Sequence, residues 1–170
     1  MATQRIDYAV VGAMAASVHG AVRASLDADA VLSLAITRLR ALERDFSEAG
    51  FRTECRYGGI DDPIAAMLVL QDEHANRVDL IVGLRGLEAE SFTRAIQVPF
   101  QGVSLRVVGR EDFIAMKLFA GGAQDLSDAT SVVRLAGAQL DLELLRRLAQ
   151  RYGREATKAL ETLIPGITQP

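Results

Sequence analysis

The chain has 170 residues, 22 acidic and 19 basic, for a formal charge of −3, and 49% of it is hydrophobic. That length suits one domain with a buried core and is too short for two full ones, and the balance excludes a disordered chain, a membrane bundle and a strongly basic nucleic-acid wrapper. One cysteine, Cys55, and two histidines, His19 and His74, cannot build a disulfide framework or a thiolate and imidazole zinc cage, so any metal must rest on carboxylates. No apolar run approaches the roughly 20 residues of a spanning helix, and the opening MATQRIDYAV lacks a secretory apolar region. The expected location is the cytoplasm, with no membrane partner.

Tyr8 to Val11 reads as a short buried strand, ended by Gly12 and followed by an alanine-rich helix from Ala13 to His19 that stops at Gly20. From Ser25 to Leu34 the residues alternate. Leu26, Ala28, Ala30, Leu32 and Leu34 share one face, and Asp27, Asp29, Val31 and Ser33 the other. Thr37 to Glu48 has helical spacing in Leu39, Leu42 and Phe46, and FRTECRY follows as a strand, which gives a βαβ-like start. A polar loop, Gly58 to Pro63, leads into AAMLVL and RVDLIV, an antiparallel hairpin turned by QDEHAN.

After Gly86 a short helical piece runs to Arg94, and Ile96 to Phe100 and Val103 to Val108 form a second hairpin around Gln101 and Gly102. From Glu111 the chain is helical: EDFIAMKLFA, a Gly121-Gly122 break, DLSDATSVVRLA, DLELLRRLAQRY and REATKALETLI. The fold class is α+β, a mixed sheet flanked by helices with a C-terminal helical segment. Residues 1–109 make the core, and 110–170 extend the same domain.

Carboxylates two apart on a strand project to one face, so Asp27 and Asp29 are placed to share a hard cation. Asp79 stands between Val78 and Leu80 in an otherwise apolar strand, where a carboxylate is costly to bury without a partner, and it is the candidate third member. Other residues have plainer readings. Asp125, after the diglycine, suits an N-cap, and Asp128 a first-turn acid favoured by the helix dipole. His19 is a packing or capping residue, and the stripe Arg147, Arg151, Arg154 and Lys158 is a solvated face or a site for RNA phosphates.

The stretch VVGAMAASVHGAVRASLDADAVLSL, with VDLIVG around Asp79 and EDFIAMKLFAGGAQDLSDAT further on, resembles the nucleotidyltransferase superfamily that includes DNA polymerase beta. It is most similar to the small bacterial branch of AbiEii-like toxins. The matching residues are Gly12, His19, Gly20, Arg23, Ser25, Asp27 and Asp29, then Asp79 and Lys117, across roughly residues 5–135. Ala13 departs from the pattern, which has Gly or Ser there, and Ala28 stands where a larger aliphatic is usual.

The resemblance implies a nucleotidyltransferase-like sheet and a site built on three acids. Asp27, Asp29 and Asp79 would hold magnesium or manganese, while Gly12, Ala13, Arg23, Ser25 and Lys117 would bind the nucleoside triphosphate. It further implies transfer of a nucleoside monophosphate to an acceptor hydroxyl on a tRNA end or protein, as the toxin of a pair with a cognate antitoxin. Two alternatives stand beside it: an enzyme modifying a small molecule of the aminoglycoside type, and an inactive nucleotide-binding or interaction module of the same fold. Acyl and hydride transfer are disfavoured, because neither a Gly-x-Ser-x-Gly elbow nor a Gly-x-Gly-x-x-Gly turn is present.

Overall fold

In the computed structural model, residues 6–21, 24–25 and 27–164 are described. Arg23 and Leu26 lie outside them.

Three strands at the centre carry the site. β1 (Tyr8–Val11) leads straight into α1 (Gly12–Val18), and the chain returns as β2 (Asp27–Leu32), antiparallel to β1. A single 3-10 turn, Ile36–Arg38, feeds α2 (Leu39–Glu48), followed by β3 (Arg52–Tyr57), β4 (Ile64–Gln71) and β5 (Arg77–Leu84). The short α3 (Glu90–Thr93) precedes the hairpin β6 (Ile96–Phe100) and β7 (Val103–Val107). The chain ends in α4 (Arg110–Ala120), α5 (Ala123–Ala136), α6 (Leu142–Tyr152) and α7 (Arg154–Leu163).

The strands form one mixed sheet in the order β3-β4-β5-β2-β1-β7-β6. β2 pairs parallel with β5 and β1 parallel with β7, and the remaining pairs are antiparallel. The expected βαβ start is therefore modified. β1 and β2 run antiparallel across α1, and β2 and β3 point the same way across α2, but β4 and β5 are inserted between them. Local pattern reports that a helix lies between two strands; it does not report that a later hairpin claims the place beside β2.

Alternation along β2 and β5 divides the core between the two faces of the sheet. Ala30, Leu80 and Val82 join Leu39 of α2 and Leu68 of β4 on one side. Val31 and Ile81 join the other side, where α1 and the four C-terminal helices pack, with Phe113, Ile114, Val132, Leu145 and Leu160 almost wholly enclosed. Burying each such side chain contributes about 2 kcal/mol, so this larger cluster fixes the helices over the face from which Asp27 and Asp29 project. No helix among the described residues is long and apolar enough to cross a membrane.

Candidate active site

The carboxylates come together through strand register. In the parallel β2 and β5 ladder, Asp29 lies across from Asp79 and Asp27 across from Arg77. Even spacing then puts Asp27, Asp29, Arg77 and Asp79 on the face of Val31 and Ile81, beneath the C-terminal helices. Asp27 is exposed at the start of its strand, Asp29 is half-buried, and the Asp79 side chain is 13% exposed.

Gly12 completes this corner. On the other side of β2, Asp29 faces Val11, which places its carboxylate over the next residue. A Cβ on Gly12 would stand 2.0 Å from Asp29 Oδ2, and the backbone φ of +62° is itself left-handed. Only glycine satisfies both conditions. The glycine turn and the Asp-x-Asp strand are therefore two halves of one contact. The neighbouring Ala13 is buried, so the position where the resembling branch carries Gly or Ser here points into the core.

Asp79 is engaged from its own strand. Arg77 grips it with two parallel bonds, Nε to Oδ1 at 2.7 Å and Nη2 to Oδ2 at 2.7 Å. Asp79 holds the guanidinium above its ordinary pKa, chiefly by these bonds, and the charges of Asp27 and Asp29 act in the same direction. Among the described residues, no three His, Cys, Asp or Glu side chains are gathered into a ready-made ion cluster. The donor chemistry still fits magnesium, which is commonly held by one or two carboxylates and completes its shell with water and phosphate oxygens. Asp27 and Asp29 are the two carboxylates that would supply that pair, whereas both oxygens of Asp79 are taken by Arg77.

A cavity of about 470 Å³ opens beside this corner. Val11, Gly12 and Asp29 form its sheet wall, Ile81 and Leu84 its floor, and Phe113, Met116 and Phe119 its helical roof. Its polar groups are few. Lys117 enters from α4, with Nζ 2.7 Å from Asp125 Oδ1 and 3.1 Å from Asp128 Oδ2. Arg85 borders the loop between β3 and β4 and donates to the carbonyls of Asp61 and Asp62, each at 3.0 Å. Neither Arg85 nor Asp61 was legible as a site residue. The Phe113, Met116 and Phe119 stripe reads equally well as core, and Phe113 is both core and roof.

Asp125 and Asp128 take roles other than those expected. Gly122, in extended backbone, is the N-cap of α5, and Asp125 sits in the first turn with Lys117 as its partner. The diglycine lets the helix start early, which moves Asp125 inside it. Asp128 falls in the second turn and is buried between Lys117 and Gln124, so it is not a dipole-stabilised surface acid. Ser25 is exposed; its hydroxyl donates to the Asp27 carbonyl at 2.9 Å and shapes the approach to β2.

His19 ends α1 and lies 2.8 Å, through Nε2, from the Val108 carbonyl, with its ring against Phe113, which accords with packing and capping. Arg147 and Arg151 stay on the expected solvated face, 51% and 46% exposed, while their guanidinium groups reach Glu88, and Arg154 and Lys158 are exposed as well. Glu88 also receives Arg94, which grips the buried Asp112. These bonds, led by that from Arg147, depress the Glu88 pKa to about 2 and tie the loop after β5 to α4 and α6.

The seven-stranded mixed sheet flanked by helices is a nucleotidyltransferase-like fold. Residues 1–164 match the family described as "Nucleotidyltransferase of unknown function (DUF6036)", and the chain belongs to it. No curated protein sequence matches.

Among solved structures, the chain is similar to an antigenic nucleotidyltransferase-like protein from Paracoccidioides brasiliensis, with a TM-score of 0.52 at 14% identity over 95% of this chain and 80% of that one. It is also similar to the antibiotic-resistance factor ANT(2'')-Ia in solution, at 0.55 and 15% identity over 95% of this chain and 89% of that one. The same factor in complex with adenylyl-2''-tobramycin matches at 0.55 and 14% identity over 87% of this chain and 90% of that one. These likenesses concern the fold. The AbiEii-like branch is not among them.

Proposed function

We propose that this chain transfers a nucleoside monophosphate from a nucleoside triphosphate to an acceptor hydroxyl, with Asp27 and Asp29 holding a divalent cation. The observation that carries this reading is the register of β2 against β1 and β5, which puts Asp29 over Gly12 and across from Asp79 at the mouth of a cavity. Magnesium or manganese would supply charge neutralisation at the phosphates. Lys117, already at the cavity wall, would bind phosphate oxygens, and its two aspartates orient the ammonium. Asp79, once freed from Arg77, would take the proton of the attacking hydroxyl, and pyrophosphate would leave.

For the acceptor, the resemblance to toxins points to an RNA end or a protein, with a cognate antitoxin as partner. The cavity favours a second reading, a small molecule. It is walled mainly by apolar side chains and is of the size that encloses drug-sized ligands. ANT(2'')-Ia holds an adenylylated tobramycin on the same fold.

The deciding experiment incubates the protein, and an Asp27→Ala/Asp29→Ala variant, with each α-labelled triphosphate, magnesium or manganese, and separate RNA, protein and small-molecule extracts. Label moved by the wild type and not by the variant supports transfer and reports the acceptor class. If no label moves while a triphosphate still binds, the inactive module is the correct reading.

A further inference from the structure

Arg77, at the acidic corner, has no chemical role in the reaction outlined above, and its placement is specific. It shares a face with three carboxylates, lies across from Asp27, and holds both oxygens of Asp79 at 2.7 Å. The Arg77 side chain is 34% exposed and that of Asp79 13%, so the pair is sheltered more than an ordinary surface ion pair, which contributes little. Without a cation, Asp29 and Asp79 would face each other across adjacent strands, a like-charge arrangement that destabilises a sheet. A guanidinium two residues before Asp79 removes that repulsion by binding the same oxygens that a metal would need.

We infer that Arg77 is the built-in counter-ion of the site, a positioning residue that holds Asp79 until a divalent cation exchanges for it. Binding of metal to the third carboxylate is then a replacement of one cation by another. The apparent affinity there is lowered by the Arg77 and Asp79 pair. This inference rests on the metal-dependent reading above but concerns a separate equilibrium.

Manganese titration of the purified protein at constant ionic strength, followed by the electron paramagnetic resonance signal of the free ion, tests it without any turnover. Arg77→Gln keeps a polar head and loses the charge. The variant should bind the Asp79-dependent ion about 10- to 100-fold more tightly than the wild type, the scale expected for removing a charged, doubly hydrogen-bonded competitor. Adding Asp79→Asn should abolish the gain. A lower melting temperature with unchanged manganese affinity would show a merely structural ion pair and overturn the inference. Manganese bound by neither the wild type nor Arg77→Gln would overturn it together with the metal-dependent reading, and the two failures are thereby distinguished.

Discussion

Replacing Gly12 by alanine is the sharpest test of the corner, because two separate costs arise there and a control isolates one of them. The first is backbone strain: an L-residue held at φ +62° costs about 1 to 2 kcal/mol, which for a chain of this size lowers the melting temperature by roughly 2 to 8 °C. The second is the collision with Asp29 Oδ2, 2.0 Å from the new methyl carbon, which forces that carboxylate to retreat by about 1.5 Å to reach ordinary contact. Displacements of that size at a reacting centre cost on the order of 100-fold in rate. Gly102→Ala supplies the control, since its φ of +82° imposes similar strain while nothing lies within 4 Å of the added carbon. Calorimetry and the labelled-triphosphate assay on both variants should show comparable melting shifts, with transfer and manganese binding lost only in Gly12→Ala. Transfer within threefold of wild type in Gly12→Ala would refute the link between the glycine turn and Asp29.

Lys117→Met should cost about 2 to 4 kcal/mol by leaving Asp128, 4% exposed, without its cation; Lys117→Met/Asp128→Asn should recover most of that stability on chemical denaturation but none of the transfer activity. Glu88 has a folded pKa of about 2 against an ordinary 4.5, so its contribution is complete above pH 4.5 and is lost as pH falls through the folded value. Allowing for screening at the half-exposed Arg147, that loss is on the order of 2 kcal/mol, and Glu88→Gln should flatten the acid limb of stability against pH between those values. Burial lowers the His19 pKa below 6.5, so the unfolded chain binds the proton more readily and stability should decline as pH falls through 6.5. A thermal melt series in which His19→Gln shows the same decline would rule out His19 as its source.

Strands, helices and the faces of β2 were readable because alternation and helical spacing are local: Asp27 and Asp29 cannot point apart on a strand, and Val31 must follow them to the same side. Asp79 was readable for a related reason, a charge standing alone in an apolar strand. What local pattern could not supply was pairing. Glu88 and Asp112 look like surface residues on their own segments, and only the meeting of the loop after β5 with α4 and α6 buries them, bridged by Arg94 and capped by the half-exposed Arg147. Arg85 is likewise ordinary until the β3 to β4 loop comes within reach of its guanidinium.

Arg77 shows the same limit within the site itself. In the sequence it is the first residue of RVDLIV, a plausible strand-end cation facing solvent. The parallel register turns it into the neighbour of Asp27 and the partner of Asp79, so one arginine offsets part of the negative charge that the aspartates bring to this face. The sheet thus gains a stable way to keep a carboxylate cluster before any ion arrives, and the strength of that hold sets how readily an ion displaces it. A stronger pair would make the folded chain more robust and its third carboxylate slower to reach metal; a weaker one would do the reverse. Stability and metal affinity should therefore move in opposite directions across a series of substitutions at residue 77, a relation that a purely structural salt bridge would not produce.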